Sequence, residues 1–255
     1  MIDFKDVTFI VPIRFDSEDR RNNFKTSMNY LLRNFDTNII VLDSDKKSNE
    51  EFVKSVSEKI KYVFEKNDEK LFHRTRLLNN MTKMTETDII VNYDVDVIFP
   101  IEQYIESKKK IEEGCTMCFP YAGKFYDIPK KFFDLVDNDE LSEIPLNQCT
   151  LFNPNSVGGA FFFHKSRYQE IGWENENFVS WGHEDWERIH RVQFLGYELC
   201  RTEGVLYHLT HSRTVNSNDR NPFYQFNGQE IQRIKRLNKE QLLSEIKKWK
   251  WCNDI

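Results

Sequence analysis

The chain has 255 residues, of which 39% are hydrophobic and 14% aromatic, and its formal net charge is −5 at pH 7. This length and hydrophobic content allow a sizeable core, arranged as one large domain or two small ones. The acidic charge and the absence of a basic cluster exclude a general nucleic-acid binder, which is usually basic.

The N-terminus has neither the basic start nor the apolar stretch of a signal peptide. No uninterrupted apolar run approaches the length of roughly 18 residues that a membrane-spanning helix needs. We therefore expect a cytoplasmic protein that could lie at the inner face of a membrane. The five cysteines are an odd number, which in that compartment predicts reduced thiols. Cys115 and Cys118 form a C-x-x-C pair without a second pair at zinc spacing, so we expect ordinary thiols there.

The first hundred residues alternate between β-rich segments and amphipathic helical segments. Runs of β-branched and aromatic residues predict strands, and apolar residues at positions i, i+3 and i+4 predict helices. The predicted strands are residues 7–12, 38–42, 60–64 and 88–91. The predicted helices are residues 22–32, 50–60 and 71–84. This order predicts an α/β fold with a central, mostly parallel sheet flanked by helices.

Polar residues follow three of these predicted strands. Pro12 and Arg14 end the first strand, Asp43 follows the second, and Asp94 and Asp96 follow the fourth. Ligands of parallel α/β sheets bind outside the carboxyl ends of the strands. The sequence therefore predicts a binding cleft at this edge of the sheet.

The rest of the chain is less regular, and no linker divides it. Residues 114–119, 158–163 and 204–207 predict strands, and residues 183–195 predict a helix that Gly196 ends. Residues 121–157 are rich in Pro, Gly, Asn and Asp and predict a long, partly helical excursion. Residues 229–249 predict one amphipathic helix.

Asp94 and Asp96 are the first candidate metal ligands. If they continue the preceding strand, alternation points both carboxylates to one face. Two adjacent negative charges repel, which a cation between or beside them relieves. Hard oxygen ligands suit Mn²⁺ or Mg²⁺, and the alternative is an ordinary pair of aspartates in a turn that caps a helix.

Trp181, Glu184 and Asp185 form a second candidate group. The two carboxylates fall in the first turn of a predicted helix, where acidic residues also compensate the helix dipole. The functional alternative is that one of them accepts a proton from an attacking hydroxyl, with the helix terminus keeping it ionised. Trp181 and Gly182 just before them predict a loop that could cover a ligand.

His208 and His211 form the third group. At a spacing of three residues beyond a predicted strand, both rings can face the same way and bind one metal ion. Imidazole is an acceptable ligand for Mn²⁺ and a better one for the later transition metals. We expect these histidines to meet the acidic pair on one ion, about 115 residues away along the chain.

Six short segments together resemble the inverting GT-A glycosyltransferases, most closely the β-1,4-galactosyltransferase type and its bacterial relatives. Each segment is weak alone, but their order across residues 7–215 matches that family. They are Pro12-Ile13-Arg14, Phe72-His73-Arg74 with Leu77-Leu78-Asn79, Asp94-Val95-Asp96, Gly158-Gly159, Trp181-Gly182-His183-Glu184-Asp185, and His208 and His211 with Ser212-Arg213.

The resemblance implies the GT-A fold and a role for each matching residue. The residues that would bind the nucleotide-sugar donor are Pro12, Arg14, Asp43, Phe72, Arg74, Asp94, Val95, Gly159 and Trp181. Asp96, His208 and His211 would hold Mn²⁺ or Mg²⁺. Asp185 would be the catalytic base, with Glu184 beside it holding the acceptor.

The chain departs from the family pattern at several positions. His208 stands where the galactosyltransferases have Met, and His183 and Trp186 replace a Gly and an Asp near the acceptor. The acceptor identity therefore does not transfer. Ser156 stands where the family has a bulky Tyr near C2 of the donor sugar, which leaves room for an N-acetyl group and favours UDP-GalNAc over UDP-galactose.

The resemblance implies a metal-dependent inverting transfer of a hexose or N-acetylhexosamine from a UDP-sugar to a saccharide or lipid-linked saccharide, in surface polysaccharide or glycoconjugate synthesis. One alternative is a nucleotidyltransferase that makes a nucleotide sugar, although residues 11–17 lack the usual Gly-rich phosphate loop. Another is a non-catalytic carbohydrate-binding module with a structural cation. A glycosidase is disfavoured because adjacent carboxylates at 184 and 185 cannot flank a scissile bond.

We expect a single domain over residues 1–255. Residues 1–100 would form the nucleotide-binding half, residues 101–215 the acceptor and catalytic half, and residues 216–255 a helical C-terminal extension. Lysines of that extension, with Trp249 and Trp251, could touch a membrane weakly, but we expect packing on the domain instead.

Overall fold

The computed structural model describes residues 1–212 and 219–253. The strands are β1 (Ile2–Ile13), β2 (Phe35–Asp45), β3 (Lys61–Lys66), β4 (Ile89–Tyr93), β5 (Val97–Ile98), β6 (Met117–Phe119), β7 (Lys124–Ile128), β8 (Thr150–Asn153), β9 (Ala160–His164), β10 (Leu199–Arg201) and β11 (Val205–Leu209). The helices are α1 (Glu18–Asn34), α2 (Glu50–Val56), α3 (Arg74–Lys83), α4 (Ile101–Glu112), α5 (Phe133–Asp137), α6 (Lys165–Glu170), α7 (Glu184–Leu195), α8 (Tyr224–Lys235), α9 (Lys239–Ile246) and α10 (Lys250–Asn253).

The larger sheet formed by the described residues has seven strands in the order β10-β6-β9-β4-β1-β2-β3. All neighbours in this sheet run parallel, except that β9 is antiparallel to both β4 and β6. The predicted mostly parallel sheet is therefore confirmed. Because β1, β2 and β4 run side by side in one direction, Arg14, Asp43 and Asp94 meet at one edge of the sheet.

A smaller sheet stands beside this edge, with the order β5-β11-β7-β8 within the described residues. Strand β5 follows directly on the turn after β4, and its Val97 pairs with His208 of β11. On the other side of β11, Asp127 of β7 pairs with the same histidine. This sheet therefore carries His208 to the end of β4.

Aromatic rings fill the core between the larger sheet and α4. Phe9 packs edge-on against Tyr93 at 5.5 Å and contacts Tyr104 and Phe162 at slightly greater distances. The Tyr93 hydroxyl donates to the Val97 carbonyl oxygen, which ties the core to the turn after β4. Buried aromatic side chains therefore support the turn that forms this edge of the sheet.

Several elements differ from the sequence predictions. Helix α4 is absent from those predictions, although Ile101, Tyr104 and Ile111 lie at helical spacing on its buried side. The excursion over residues 121–157 contributes strands β7 and β8 as well as short helical turns, and these strands join the smaller sheet. His208 lies within β11 rather than beyond a strand, so a strand pairing and not a helical turn orients its ring.

The predicted helix over residues 229–249 is wrong, since α8 ends at Lys235 and a separate helix, α9, begins at Lys239 and ends at Ile246. Asn238 begins α9 with a capping box, in which its side chain accepts from the Gln241 amide while the Gln241 side chain accepts from the Asn238 amide. Trp249 is buried beside Gly172, so its indole packs on the domain. None of the described helices is long and apolar enough to cross a membrane.

Cys115 and Cys200 form a disulfide that joins the segment just before β6 to the neighbouring strand β10. The prediction of reduced thiols is wrong for this pair. The two cysteines are 85 residues apart in sequence, and only the pairing of their strands brings them together. Cys118 of the C-x-x-C pair is a buried free thiol within β6.

Candidate active site and metal centre

Asp96, His208 and His211 form a compact cluster at the carboxyl end of β4. One ligand atom from each lies within 4.8 Å of the others. The His211 Nε2 is 3.0 Å from Asp96 Oδ2, and the His208 Nε2 is 3.8 Å from Asp96 Oδ1. The structure therefore brings together the three residues that the sequence analysis assigns to the metal.

Both histidines in this cluster are oriented through their other ring nitrogen. The His208 Nδ1 is 2.6 Å from a carboxylate oxygen of Asp127, and the His211 Nδ1 is 2.7 Å from the Ser212 carbonyl oxygen. A hydrogen bond at Nδ1 fixes the ring and leaves Nε2 as the metal-binding atom. Asp127 is a functional candidate that only the register of β7 and β11 reveals.

The two aspartates of the D-x-D segment diverge. Strand β4 ends at Tyr93, so Asp94 and Asp96 lie in a turn in which the Val97 amide donates to the Asp94 carbonyl. The expectation that strand alternation aligns both carboxylates is therefore wrong. Asp94 accepts a 2.8 Å hydrogen bond from Arg74 Nη2 instead of joining the histidine cluster.

Positive groups keep Asp96 ionised. Burial alone would raise its pKa, but the hydrogen bond from His211 and the charges of His208 and Arg20 outweigh burial and hold the pKa well below its usual range. Arg20 Nη1 donates to Asp96 Oδ2 at 2.8 Å. Arg20 is a contact that sequence reasoning missed, because it lies in the first turns of α1 and no local pattern links it to residue 96.

The chemistry and spacing of this cluster fit a divalent metal ion. Two ligands at about 2.1 Å from a metal are about 3–4 Å apart, depending on the angle between them. The separations from Asp96 to the two Nε2 atoms fall in that range. One carboxylate and two imidazoles suit Mn²⁺ and bind later transition metals more tightly. A metal on Asp96 Oδ2 would share that oxygen with Arg20.

Glu184 and Asp185 begin helix α7, as predicted, but their surroundings differ. Glu184 is buried and accepts a 2.8 Å hydrogen bond from the Gly182 amide. Burial and the neighbouring charge of Asp185 raise the pKa of Glu184 to about 7. The expectation that the helix terminus keeps its acids ionised therefore does not hold for Glu184 near neutral pH.

One carboxylate oxygen of Asp185 accepts a hydrogen bond, and the other lies against a glycine. Arg188 Nη1 donates to Asp185 Oδ1 at 2.8 Å. A Cβ added to Gly158 would lie 2.8 Å from Asp185 Oδ2, so the absence of a side chain at 158 gives that oxygen its space. Arg188 is fully buried and also donates to both carboxylate oxygens of Glu174, at 2.7 and 2.8 Å.

The glycine pair connects the base candidate to the D-x-D turn. The Gly159 carbonyl accepts a 2.8 Å hydrogen bond from the Asp94 amide. Gly159 has φ +85°, and a Cβ there would come within 2.7 Å of Leu206. Burial raises the pKa of Asp94, and the charges of Asp96 and Asp185 add to this effect. Asp94 of the D-x-D turn and the base candidate Asp185 are therefore close enough for their charges to interact.

Arg14 directly follows β1 and Asp43 lies near the end of the adjacent strand β2, and each has a buried polar atom without a hydrogen-bond partner among residues 1–212 and 219–253. Asp43 Oδ2 accepts from Asn49 and Tyr62, while Oδ1 has no partner in that range. Arg14 Nε and Nη1 donate to backbone carbonyls, while Nη2 has no such partner. Its guanidinium lies 5.8 Å from the centre of the Phe72 ring. These groups suit a polar ligand at this edge.

Three further residues are predicted to bind the nucleotide-sugar donor, and their surroundings differ. Pro12 and Val95 are buried, and the Val95 carbonyl accepts from Ser27 Oγ at 2.7 Å. Trp181 is 38% exposed and stacks on Tyr224 of α8 at 5.9 Å. The Trp181 carbonyl also accepts from Asn221, so the loop before α7 rests on the start of α8.

Comparison with known proteins gives one family match and a set of similar folds. The family model for the N-terminal domain of galactosyltransferase matches residues 141–214, which include Asp185, His208 and His211. This span is less than half of the chain. No curated protein matches.

Solved structures with a similar fold include a mannosyltransferase from Pyrobaculum calidifontis in complex with GDP-Man and Mn²⁺. It is 14% identical, with a TM-score of 0.54, covering 96% of this chain and 73% of that one. The catalytic domain of Drosophila β1,4-galactosyltransferase 7, in complex with xylobiose, is 18% identical with a TM-score of 0.49. That match covers 79% of this chain, which spans 65% of the Drosophila domain.

A third similar structure is glucosyl-3-phosphoglycerate synthase from Mycobacterium tuberculosis, in complex with Mn²⁺, UDP and phosphoglyceric acid. It is 15% identical, with a TM-score of 0.48, covering 81% of this chain and 71% of that one. Identities this low bear on the fold alone. The predicted GT-A fold is confirmed, and so is the resemblance to the galactosyltransferases.

Proposed function

We propose that this GT-A-fold chain is a metal-dependent inverting glycosyltransferase, moving a hexose or N-acetylhexosamine from a UDP-sugar to a hydroxyl of a saccharide acceptor. One arrangement carries the proposal. The Asp96, His208 and His211 cluster lies at the end of β4, and the glycine pair joins this turn to Oδ2 of Asp185. A nucleotidyltransferase and a non-catalytic binding module are not favoured, because the matched family model is that of a galactosyltransferase.

The donor would lie along the carboxyl ends of β1, β2 and β4. Asp43 Oδ1 and Arg14 Nη2, which have no hydrogen-bond partner within residues 1–212 and 219–253, would bind its polar groups, beside the Phe72 ring. Asp96, His208 and His211 would hold the cation, which when bound neutralises the diphosphate leaving group. Arg74 and Arg20 already donate to Asp94 and Asp96, whereas Arg14 Nη2 has no hydrogen-bond partner among the described residues, so Arg14 is the better placed cation for phosphate oxygens.

Asp185 would act as the base through Oδ2. This oxygen would accept the proton of the acceptor hydroxyl while the hydroxyl oxygen bonds to the anomeric carbon on the face opposite the diphosphate, so the configuration inverts. Arg188 holds Oδ1 and so orients the carboxylate. Stabilisation of the leaving diphosphate would contribute more to the rate enhancement than any other single effect. Closure of the Trp181 loop would exclude water and limit donor hydrolysis.

The choice of donor sugar depends on the surroundings of Ser156. This small side chain is buried two residues before Gly158, and its amide donates to the Gly123 carbonyl. Its size leaves room beside the glycine pair, which supports UDP-GalNAc over UDP-galactose. A panel of UDP-sugars and GDP-mannose with Mn²⁺, monitored by nucleotide release with and without simple saccharides, would identify the donor.

Asp185→Asn tests the reaction itself. We expect this variant to bind UDP and Mn²⁺ normally in titration calorimetry but to lose about 10²–10⁴-fold in transfer rate, the usual contribution of a general base. Asp134→Asn is the matched control, since Asp134 is an exposed acid in the first turn of α5, outside the cleft. Transfer by Asp185→Asn at the rate of the control would remove Asp185 from the base role.

A further inference from the structure

A groove of about 250 Å³ lies on the outer side of α7. One wall is formed by Trp186, Ile189 and Gln193, which follow each other at helical spacing on that helix. The opposite wall is formed by Ala122, Gly123, Asn155 and Val157, and Leu199 and Arg201 of β10 complete the lining. A cavity of about 150 Å³ holds a benzene ring, so this groove has room for one pyranose ring.

The exposed face of α7 continues this groove with aromatic rings. Trp186 is 50% exposed and Phe194 is 40% exposed, although large apolar side chains usually lie inside. Between them, the His190 ring stacks on Phe194 at 5.2 Å. Trp186, His190 and Phe194 lie four residues apart, so they form one stripe along about two helical turns.

The groove adjoins the reacting end of the proposed active site. Trp186 follows Asp185 directly in sequence, and Val157 of the opposite wall precedes Gly158, which abuts Asp185 Oδ2. Arg201 braces this wall by donating to the Ser156 and Tyr121 carbonyls, at 3.1 and 3.2 Å. An acceptor whose hydroxyl reaches Asp185 would therefore pass next to Trp186.

The lining indicates a neutral sugar ring as the occupant. An indole offers an apolar face against which the C–H face of a pyranose can pack, while its edge is polar. Asn155 and Gln193 supply amides at the rim for hydroxyl groups. Of the described residues that line the groove, only Arg201 is ionisable, and backbone carbonyls already accept from both of its Nη atoms.

We propose that this groove is a second acceptor subsite, in which Trp186 stacks on the sugar residue next to the one that is glycosylated. The acceptor is then an oligosaccharide or the end of a longer glycan, with the aromatic stripe of α7 under its further residues. This inference rests on the proposed function, because it assigns the acceptor class of the same site.

The test compares acceptors that differ only in length. Methyl glycosides of glucose, galactose, N-acetylglucosamine and xylose are paired with the methyl glycosides of cellobiose, lactose, chitobiose and xylobiose, and kcat/KM for transfer is measured for each. We expect at least one disaccharide to exceed its monosaccharide by about tenfold or more, which corresponds to about 1.4 kcal/mol. Methyl rather than aryl glycosides are used because an aryl aglycone could itself stack on Trp186.

Variants of Trp186 then test whether its indole causes any preference for the disaccharide. Trp186→Ala should reduce the disaccharide-to-monosaccharide ratio to near one, and Trp186→Phe should keep most of it, with Mn²⁺ and UDP binding unchanged in both. Phe226→Ala is the matched control, since Phe226 is equally exposed, at 50%, but lies on α8 outside the groove.

Equal kcat/KM for mono- and disaccharides would contradict the proposed subsite, and so would a disaccharide-to-monosaccharide ratio that is unchanged in Trp186→Ala. Neither result would contradict the glycosyltransferase proposal. Nucleotide release that no saccharide stimulates would instead count against the proposed function.

Discussion

Arg188 provides the most informative single perturbation, because it joins a buried ion pair to the proposed base. Its side chain is fully buried, and Glu174, which receives two of its hydrogen bonds, is only 2% exposed. In Arg188→Met, the Glu174 carboxylate would remain buried, with the Tyr168 hydroxyl as its remaining side-chain donor among the described residues. Breaking a buried pair by removing one partner costs about 3–5 kcal/mol of unfolding free energy. At about 2–4 °C per kcal/mol for a chain of this size, Tm should fall by roughly 6–20 °C.

A second change separates stability from catalysis. In Arg188→Met with Glu174→Gln, the carboxylate is replaced by a neutral amide that can still accept from Tyr168, so most of the lost stability should return. The contact to Asp185 stays absent, and a misplaced base of this kind can cost about 10²-fold in kcat. Urea unfolding measures the first effect, and transfer at saturating donor measures the second.

Arg191 offers a matched control on the same helix. It is also fully buried and pairs with Glu187, but it makes no hydrogen bond to Asp185. Arg191→Met should therefore destabilise the protein to a similar extent, while the folded fraction keeps its kcat. A loss of less than about 1 kcal/mol in Arg188→Met, or a double variant that transfers sugar at the wild-type rate, would refute this role of Arg188.

Three further results are expected. Asp127→Asn weakens the orientation of His208 and should reduce Mn²⁺ affinity about 10–100-fold in titration calorimetry. Glu184 binds a proton in the folded state up to about pH 7 but only up to about 4.5 when unfolded, so stability should fall as pH rises between these values. Glu184→Gln should flatten that pH dependence in urea titrations at pH 5 and 8, and an unchanged slope would contradict the shifted pKa. Gly159→Ala adds a side chain at φ +85° against a buried leucine and should cost about 2–4 kcal/mol from strain and overpacking. Gly114→Ala, at positive φ but with open space around it, should cost less.

Much of the fold follows from local patterns in the chain. The predicted strands before residue 100 all occur, because runs of Val, Ile and Phe and the polar residues that end them are neighbours in sequence. The separation of α8 from α9 was missed, although Asn238 and Gln241 form a capping signal that is itself local. Such errors concern boundaries that a closer reading of the sequence can correct.

Other features have no local signal at all. The disulfide joins Cys115 to Cys200 because β6 and β10 are neighbours in the sheet. Asp127 meets His208 through the register of β7 and β11. Asp94 turns to Arg74, away from Asp96, because β4 ends one residue before the pair.

The sequence alone determined which residue types stand at the strand ends and at the start of α7, since hydrophobic periodicity and end signals act over a few residues. The tertiary structure decided which of them meet: Asp96 with the two histidines, Arg188 with Asp185, and Trp186 with the groove. Those meetings depend on strand register and helix packing between segments far apart in the chain. Such contacts form only when the whole core closes, and no short stretch of residues encodes them.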